Sequence, residues 1–347
     1  MSRDFAFVQT APDRVFIGWG PFEQLPFRRP GRPAFFISDF FLDDPHPWRH
    51  PSEWEELSVQ ELMSRFELAA EPIHVNWAPC QVDAFRGMFL SAQQAMARGE
   101  FTKIVPVLFE EGQLLRRADL RSSLVSRLGA IPESLRLYGY GLQTHGMIGA
   151  TPELLFKSDA RGYQTMALAG TRIRSRQSEL LSDAKELREH RLVVDDIVRR
   201  VAPFGNVEVD TLRIVELPGL SHLVTPIRFE ESGDGERMSY ADVVRRLHPT
   251  AALGVSPRTE AGERWLREAD RGVKRRTFGA PFGVEREDHS AIALVAIRNV
   301  QWNGDRIRIG SGAGLLAESV LEREFEELQQ KRRQVRLLFG FGGDTDE

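Results

Sequence analysis

Cysteine is almost missing from this chain: Cys80 stands alone among 347 residues, which excludes an internal disulfide and any zinc site built on cysteine pairs. No run approaches the ~20 consecutive apolar residues that a membrane-spanning helix needs. Hydrophobic residues at 41% and charged residues at 28% are ordinary for a soluble globular protein. The opening Met-Ser-Arg-Asp-Phe-Ala-Phe lacks an apolar signal core, so the expected location is the reducing cytoplasm, away from membranes. An excess of charge of one sign is missing too. With 46 basic and 50 acidic residues spread along the chain, nothing offers nucleic acid an electrostatic footprint beyond Lys274-Arg275-Arg276, which reads as a solvated loop. Several catalytic signatures are also absent: there is no Gly-x-x-x-x-Gly-Lys phosphate loop, no His-Glu-x-x-His and no Gly-x-Ser-x-Gly elbow. Most common hydrolase and nucleotide-dependent readings fall with them.

What is present suits one large enzyme domain, 1–347, with no low-complexity linker to divide it. The first 75 residues alternate aromatic runs such as Phe35-Phe36-Ile37 with proline-rich stretches, a pattern of short strands and loops. Helical spacing of Phe85, Met88, Phe89 and Ala92 predicts a helix over 81–98, stopped by Gly99. Strands are expected over 101–109, 135–141, 154–157, 164–169, 207–215, 292–302 and 306–310. Helices are expected over 175–201, 240–247, 259–270 and 320–338. The order points to an α+β fold of layered sheets with outer helices.

Two carboxylate pairs share one spacing: Glu186-Leu-Arg-Glu189 and Glu324-Phe-Glu-Glu327. Residues three apart on a helix share a face, where like charges repel by roughly 0.2–0.5 kcal/mol per pair. Gathering them around a hard cation such as Mg2+ would give the arrangement a purpose; a solvated acidic face is the plainer alternative, and Glu322 and Glu326 show how freely the last helix uses glutamate. Alternation places Lys103 on one strand face with Phe101, Val105 and Val107. There it is either a desolvated general base or the blocking lysine of an edge strand, as Pro106 would suggest. Glu153 follows Gly149-Ala-Thr-Pro152 in a turn that feeds a strand, either as a proton donor or as a surface glutamate at a strand end. Gly310-Ser-Gly312-Ala-Gly314 either brings backbone amides near an anion or forms a turn of unusual dihedrals.

Nine short motifs then fall in a recognisable order: Gly149-Ala-Thr-Pro-Glu-Leu-Leu155, Ala169-Gly-Thr-Arg172, Lys185-Glu-Leu-Arg-Glu-His190, His222-Leu-Val-Thr225, Leu247-His-Pro-Thr-Ala-Ala-Leu253, Gly279-Ala-Pro-Phe-Gly283, Ala296-Ile-Arg298, Gly312-Ala-Gly314 and Glu324-Phe-Glu-Glu327-x-x-x-Lys331. In this order the chain resembles the chorismate-utilising enzymes, which include isochorismate synthase, salicylate synthase and the large subunits of anthranilate and aminodeoxychorismate synthases. The resemblance covers a catalytic core over 101–338 and matches poorly over 1–100.

It implies layered antiparallel sheets flanked by helices, with chorismate and Mg2+ in a cleft. Glu189 and Glu327 match metal ligands, with Glu186 and Glu324 completing the acidic cluster. Arg298, Lys331, Gly312 and Gly314 match groups that hold substrate carboxylates, and Thr171, His222, His248, Ala252 and Leu253 belong to motifs lining the same cleft. Lysine at position 103 accompanies water rather than ammonia as nucleophile, as does Ala252-Leu253. The resemblance therefore implies an isochorismate synthase in which Lys103 is the base and Glu153 the acid, serving menaquinone or siderophore biosynthesis with no obligatory protein partner. A salicylate synthase, an ammonia-adding large subunit or a non-catalytic chorismate binder are the alternatives. Val255, Phe278, Pro106 and Leu108 depart from the family pattern.

Overall fold

The computed structural model describes residues 3–68, 72–79, 82–115, 120–231 and 237–342. Its organising feature is visible in the strand Phe5–Ala11, whose alternate side chains go to two different cores. Phe5 and Phe7 join one apolar cluster, whereas Ala6 and Val8 join another. That is the two-residue period of a strand covered on both faces, which also explains why such strands read as unbroken apolar runs.

Ala6 and Val8 meet Phe35, Ile37, Leu154, Phe282 and Leu294, so this cluster is the layer between two sheets. One sheet has nine strands in the order Glu53–Leu57, Arg14–Trp19, Phe5–Ala11, Arg136–Leu142, His145–Thr151, Asn299–Asn303, Arg306–Gly312, Val107–Leu114 and Val75–Trp77. The other has ten, with Gly162–Ile173, Leu220–Phe229, Leu154–Asp159, Ala291–Val295 and Pro281–Glu285 at its centre. A separate pair joins Lys103–Ile104 to Val255–Ser256.

Seven α-helices are described: α1 Val59–Ser64, α2 Val82–Ala97, α3 Leu120–Val125, α4 Ala184–Val201, α5 Tyr240–Leu247, α6 Glu260–Val273 and α7 Leu321–Leu338. The outer face of the nine-stranded sheet packs on Leu62 of α1, Leu124 of α3 and Val335 of α7. The outer face of the ten-stranded sheet packs on Val193 and Ile197 of α4 and Val243, Val244 and Leu247 of α5. The layers therefore run helix, sheet, sheet, helix, as expected of a layered α+β fold. No helix among the described residues is long and apolar enough to cross a membrane.

Four expected elements are interrupted: the strand expected over 207–215 splits into Val207–Val209 and Arg213–Leu217, and the other three interruptions bear on the site. The strand expected over 101–109 is two strands, because the chain leaves the small pair at Val105-Pro106 before entering the nine-stranded sheet. The helix expected over 175–201 begins only at Ala184, where Asp183 caps it by accepting from the amides of Lys185 and Glu186, a contribution of ~1 kcal/mol. The strand expected over 292–302 breaks at Ala296–Arg298, and Arg298 takes a left-handed φ of 55°. Lys274 and Arg276 do lie in a loop, but Arg275 is buried with its guanidinium over Phe40. The solvated reading of that run fails at its central residue. Cys80 and Gln81 lie outside the described residues.

Candidate active site

A small cleft opens between α4, α7 and the ends of strands from both sheets. Its walls include Glu153, Thr171, Glu189, His222, Ala252, Leu253, Arg298, Gly312, Gly314, Glu327 and Lys331. The lining residues come from segments scattered between positions 105 and 331, which is why no single segment announces the site.

Local geometry delivers each group. On the strand Gly162–Ile173 a register shift between Ala169 and Thr171, with Gly170 at a φ of +80°, sets Thr171 directly opposite His222. Thr171 Oγ1 and His222 Nδ1 are 3.0 Å apart, and Arg298 Nη2 lies 3.4 Å from His222 Nε2. With a guanidinium donor at Nε2, the ring is assigned its proton on Nδ1, donating to Thr171. Burial and then Arg298 push the imidazole well below its usual range. Burial also lowers Arg298 itself to about 10. The left-handed backbone that aims Arg298 is braced from behind: Tyr138 Oη donates to Ile297 O at 2.8 Å, and Asn299 Nδ2 donates to Ala296 O at 2.7 Å and to Tyr138 Oη at 2.8 Å. Strain of this kind persists where its surroundings over-determine it. Tyr138 and Asn299 carried no motif, so the sequence offered no sign of this support.

The glycines of Gly310-Ser-Gly312-Ala-Gly314 have no left-handed φ; space selects them. A side chain at Gly310 would lie 2.7 Å from Phe109 and Phe278, and one at Gly314 would overlap Glu189 Oε1 and crowd Lys103. The backbone thus passes against the acidic cluster, where a side chain at Gly314 would displace the Glu189 carboxylate.

That cluster is the densest electrostatic feature of the site. Glu186 and Glu324 are buried at 1% and 4% exposure, while Glu322 and Glu326 on the same last helix are exposed. The two pairs are inward-facing, and the solvated-face reading is corrected. Lys185 Nζ lies 3.4 Å from Glu186 Oε1, 3.4 Å from Glu189 Oε2 and 3.1 Å from Glu324 Oε1. Lys103 Nζ is 3.2 Å from Glu189 Oε1, and Lys331 Nζ is 2.6 Å from Glu327 Oε1. Glu186 is the most heavily engaged, accepting from Thr171 N at 2.7 Å and from Arg172 Nη1 at 2.8 Å. Arg172 also pairs with the helix cap Asp183.

Burial raises the carboxyls of Glu186 and Glu324 above the ordinary range. At Glu189 burial acts in the same sense, but Lys103 and Lys185 outweigh it; at Glu327 Lys331 and Lys185 do the same, and both carboxyls end below the ordinary value. Glu324 Oε1 accepts from Ser319, yet its Oε2 is buried without a hydrogen-bond partner. An orphaned buried carboxylate oxygen among all-oxygen donors is the kind of group a hard divalent cation takes, although as they stand no three carboxylates among the described residues are placed to hold one ion. Glu189, Glu324 and Glu327 have the freer oxygens for it, with Glu186 held back by Thr171 and Arg172.

Lys103 is fully buried and donates to Ala251 O at 2.7 Å as well as pairing with Glu189. The edge-strand reading does not survive: Lys103 belongs to the short pair with Val255–Ser256 and faces a carboxylate. Pro106, which lacks an amide, sits at the exit from that pair, outside either strand. Glu153 is buried at 4%, not on the surface, in the turn before Leu154–Asp159. Burial pushes its carboxyl up to about 7, with Lys103 and Lys331 pulling partly back.

One expected lining residue is elsewhere. His248 turns onto Phe40, with Nε2 2.6 Å from Phe40 O, and lies outside the residues lining the cleft. Conversely, Leu168 and Ile297 line it without having been singled out for that role, Phe278 lines it where the family pattern has another residue, and Lys185 and Arg172 complete the cluster.

Comparisons with known proteins bear on the family and the fold. A family model described as "Chorismate binding enzyme" matches residues 50–338. Anthranilate synthase component 1 of Methanothermobacter thermautotrophicus is 29% identical over 280 residues, covering 76% of this chain and 58% of that protein. The salicylate biosynthesis isochorismate synthase of Pseudomonas aeruginosa is 32% identical over 214 residues, covering 58% of this chain and 43% of that protein. The chain thus spans only about half the length of these curated relatives. Among solved structures, DhbC of Bacillus anthracis, described as a 2,3-dihydroxybenzoate-specific isochorismate synthase, superposes with a TM-score of 0.83 at 19% identity, covering 98% of this chain and 97% of that one. At that identity the likeness concerns the fold.

Proposed function

The chain belongs to the chorismate-binding enzyme family, and from that premise we propose that it is an isochorismate synthase, adding water at C2 of chorismate and expelling the C4 hydroxyl. One observation carries the reading: a buried carboxylic acid, Glu153, lines the cleft and is pushed up to about 7 by burial, while a buried amine, Lys103, stands against Glu189 of the same wall. A donor of that strength is about half protonated at neutral pH, where an unperturbed glutamate would be almost fully ionised, and so can serve as a general acid.

In this reading Lys103 Nζ takes a proton from the attacking water as its oxygen bonds to C2. The ring electrons shift, the C4–O bond breaks, and Glu153 supplies the proton with which the hydroxyl leaves as water. Atoms balance as an isomerisation. Arg298, Lys331 and the backbone at Gly312 and Gly314 hold the substrate's carboxylates, a task for which a guanidinium fork is well shaped. Thr171 and His222 orient Arg298 from one side, while Ala252 and Leu253 close the cleft. Glu189, Glu324 and Glu327 would hold Mg2+, with Glu186 bracing them; bound there, the ion supplies positive charge for the ring carboxylate. No protein partner is needed for water addition.

A second reading has support in the relatives named anthranilate synthase component 1: ammonia would replace water as nucleophile. Lys103 and Ala252-Leu253 weigh against it, since in the family resemblance both accompany water. A salicylate synthase would carry the same first step and then eliminate pyruvate.

The test is to incubate the purified chain with chorismate, with and without Mg2+ and without ammonium, and to identify products by chromatography and mass. Isochorismate formed only with Mg2+ is the expected result. Salicylate and pyruvate would establish the two-step variant, and turnover only when ammonium is added would overturn water as the nucleophile.

A further inference from the structure

The chain has five lysines, Lys103, Lys157, Lys185, Lys274 and Lys331, against 41 arginines. Three of the five converge on the acidic cluster. Two of those already have tasks in the proposed chemistry; Lys185 has none, yet it touches three of the carboxylates where each of the others pairs with one. Its ammonium is within 3.4 Å of Glu186 and Glu189 on its own helix and 3.1 Å from Glu324 on α7.

A divalent ion held by Glu189 and Glu324 at the ~2.1 Å that Mg2+ demands would have to stand in the space the ammonium fills. Two cations cannot share it. We propose that Lys185 is a built-in counter-ion that competes with the divalent cation for this cluster and changes places with it, the side chain swinging out to solvent as the metal enters. The inference rests on the metal assignment made above and extends it to how the ion gains entry.

Three features make the exchange physical. Lys185 lies in the first turn of α4, next to the cap Asp183, at the helix end where side chains reach water soonest. Its side chain keeps 21% exposure, so an outward path exists. Lysine is a compact point charge on a flexible four-carbon stem, whereas arginine would lock a carboxylate with two parallel hydrogen bonds. In a chain that uses arginine almost everywhere else, lysine at this position is the cation able to leave. The orphaned Glu324 Oε2 is the acceptor that the ammonium leaves unused and that a metal would take.

Two measurements on the full chain test this. The first is amine acetylation followed by peptide mass spectrometry, with and without Mg2+, using the cleft-remote Lys157 and Lys274 as internal references. Acetylation of Lys185 should rise several-fold on adding Mg2+; unchanged labelling, with Mg2+ uptake confirmed by calorimetry, would overturn the exchange while leaving the metal site intact. The second is calorimetric titration of Mg2+ into the wild type, Lys185→Met and Lys185→Arg, with thermal melting in chelator. Lys185→Met should bind Mg2+ at least tenfold more tightly and melt lower without metal, and Lys185→Arg should bind at least tenfold more weakly. Equal affinity in all three would overturn the competition. Absence of Mg2+ uptake by every variant would overturn the metal assignment itself.

Discussion

Replacing Glu153 by glutamine should stabilise the protein and silence it together. The carboxyl ionises at about 7 in the folded chain against 4.5 for an unperturbed glutamate. At ~1.36 kcal/mol per pH unit, that gap corresponds to roughly 3 kcal/mol of destabilisation once the group is fully ionised. The sign follows from proton binding. Between 4.5 and about 7 the folded state holds more protons than the unfolded one, so stability falls as pH rises through that window and is level on either side. Glutamine never ionises and so removes the penalty. Guanidinium unfolding in chelator should therefore show the variant up to ~3 kcal/mol more stable than wild type at pH 8, and nearly equal at pH 4. Turnover should fall by roughly 10²–10⁴-fold, the usual worth of a general acid. Wild-type kcat/KM should itself decline as pH rises above about 7, where the donor is lost. A stability difference that does not change with pH, or a variant less stable at pH 8, would refute the claim that burial holds this acid protonated.

Three further outcomes are expected. Lys103→Gln should lower isochorismate formation by roughly 10²-fold or more, read by product chromatography; a variant retaining above about a tenth of the wild-type rate would remove Lys103 from the base role. Gly314→Ala places a methyl on Glu189 Oε1; it should cost ~1–3 kcal/mol in unfolding experiments and weaken Mg2+ binding in calorimetry, whereas unchanged Mg2+ affinity would mean that Glu189 is not a ligand. Tyr138→Phe removes the hydroxyl that holds Ile297 O and Asn299; a loss of ~1 kcal/mol should come with a raised KM and a smaller change in kcat, because the turn carrying Arg298 loosens.

The parts of the site readable from sequence were those with a period. Glutamates three apart on amphipathic helices had to share a face, and the helices α4 and α7 do carry them inward. Glu153 was readable because Pro152 and the apolar run after it fix a turn before a strand. What escaped notice has no periodic signature. The break at Ala296–Arg298 lies in an apolar stretch that reads as one strand, and the left-handed position is filled by arginine, not glycine. The strand Leu220–Phe229, which presents His222, mixes serine, histidine, threonine and proline with its apolar residues, so it showed as a motif and not as an element. His248 was assigned to the cleft by its motif, yet a hydrogen bond to Phe40, some two hundred residues away, turns it elsewhere. Arg275 was judged by its charged neighbours alone, while its burial depends on Phe40 and Asp270. Lys185 stood in a motif without a role of its own, because the carboxylate that completes its surroundings, Glu324, lies on another helix.

The place of the strand Arg306–Gly312 in the nine-stranded sheet sets a timetable for making the protein. It lies between Asn299–Asn303 and Val107–Leu114, and Val107–Leu114 carries Val75–Trp77 at the sheet's end. During synthesis these two earlier strands leave the ribosome some two hundred residues before the strand that joins them to the rest. Until then Val107–Leu114 presents open hydrogen-bonding groups beside buried-type side chains, the kind of edge to which other chains add. Pairings of such long range form slowly, so the nascent chain has to be shielded along that edge, and a ribosome stalled before residue 306 would release an adhesive product instead of a smaller working enzyme.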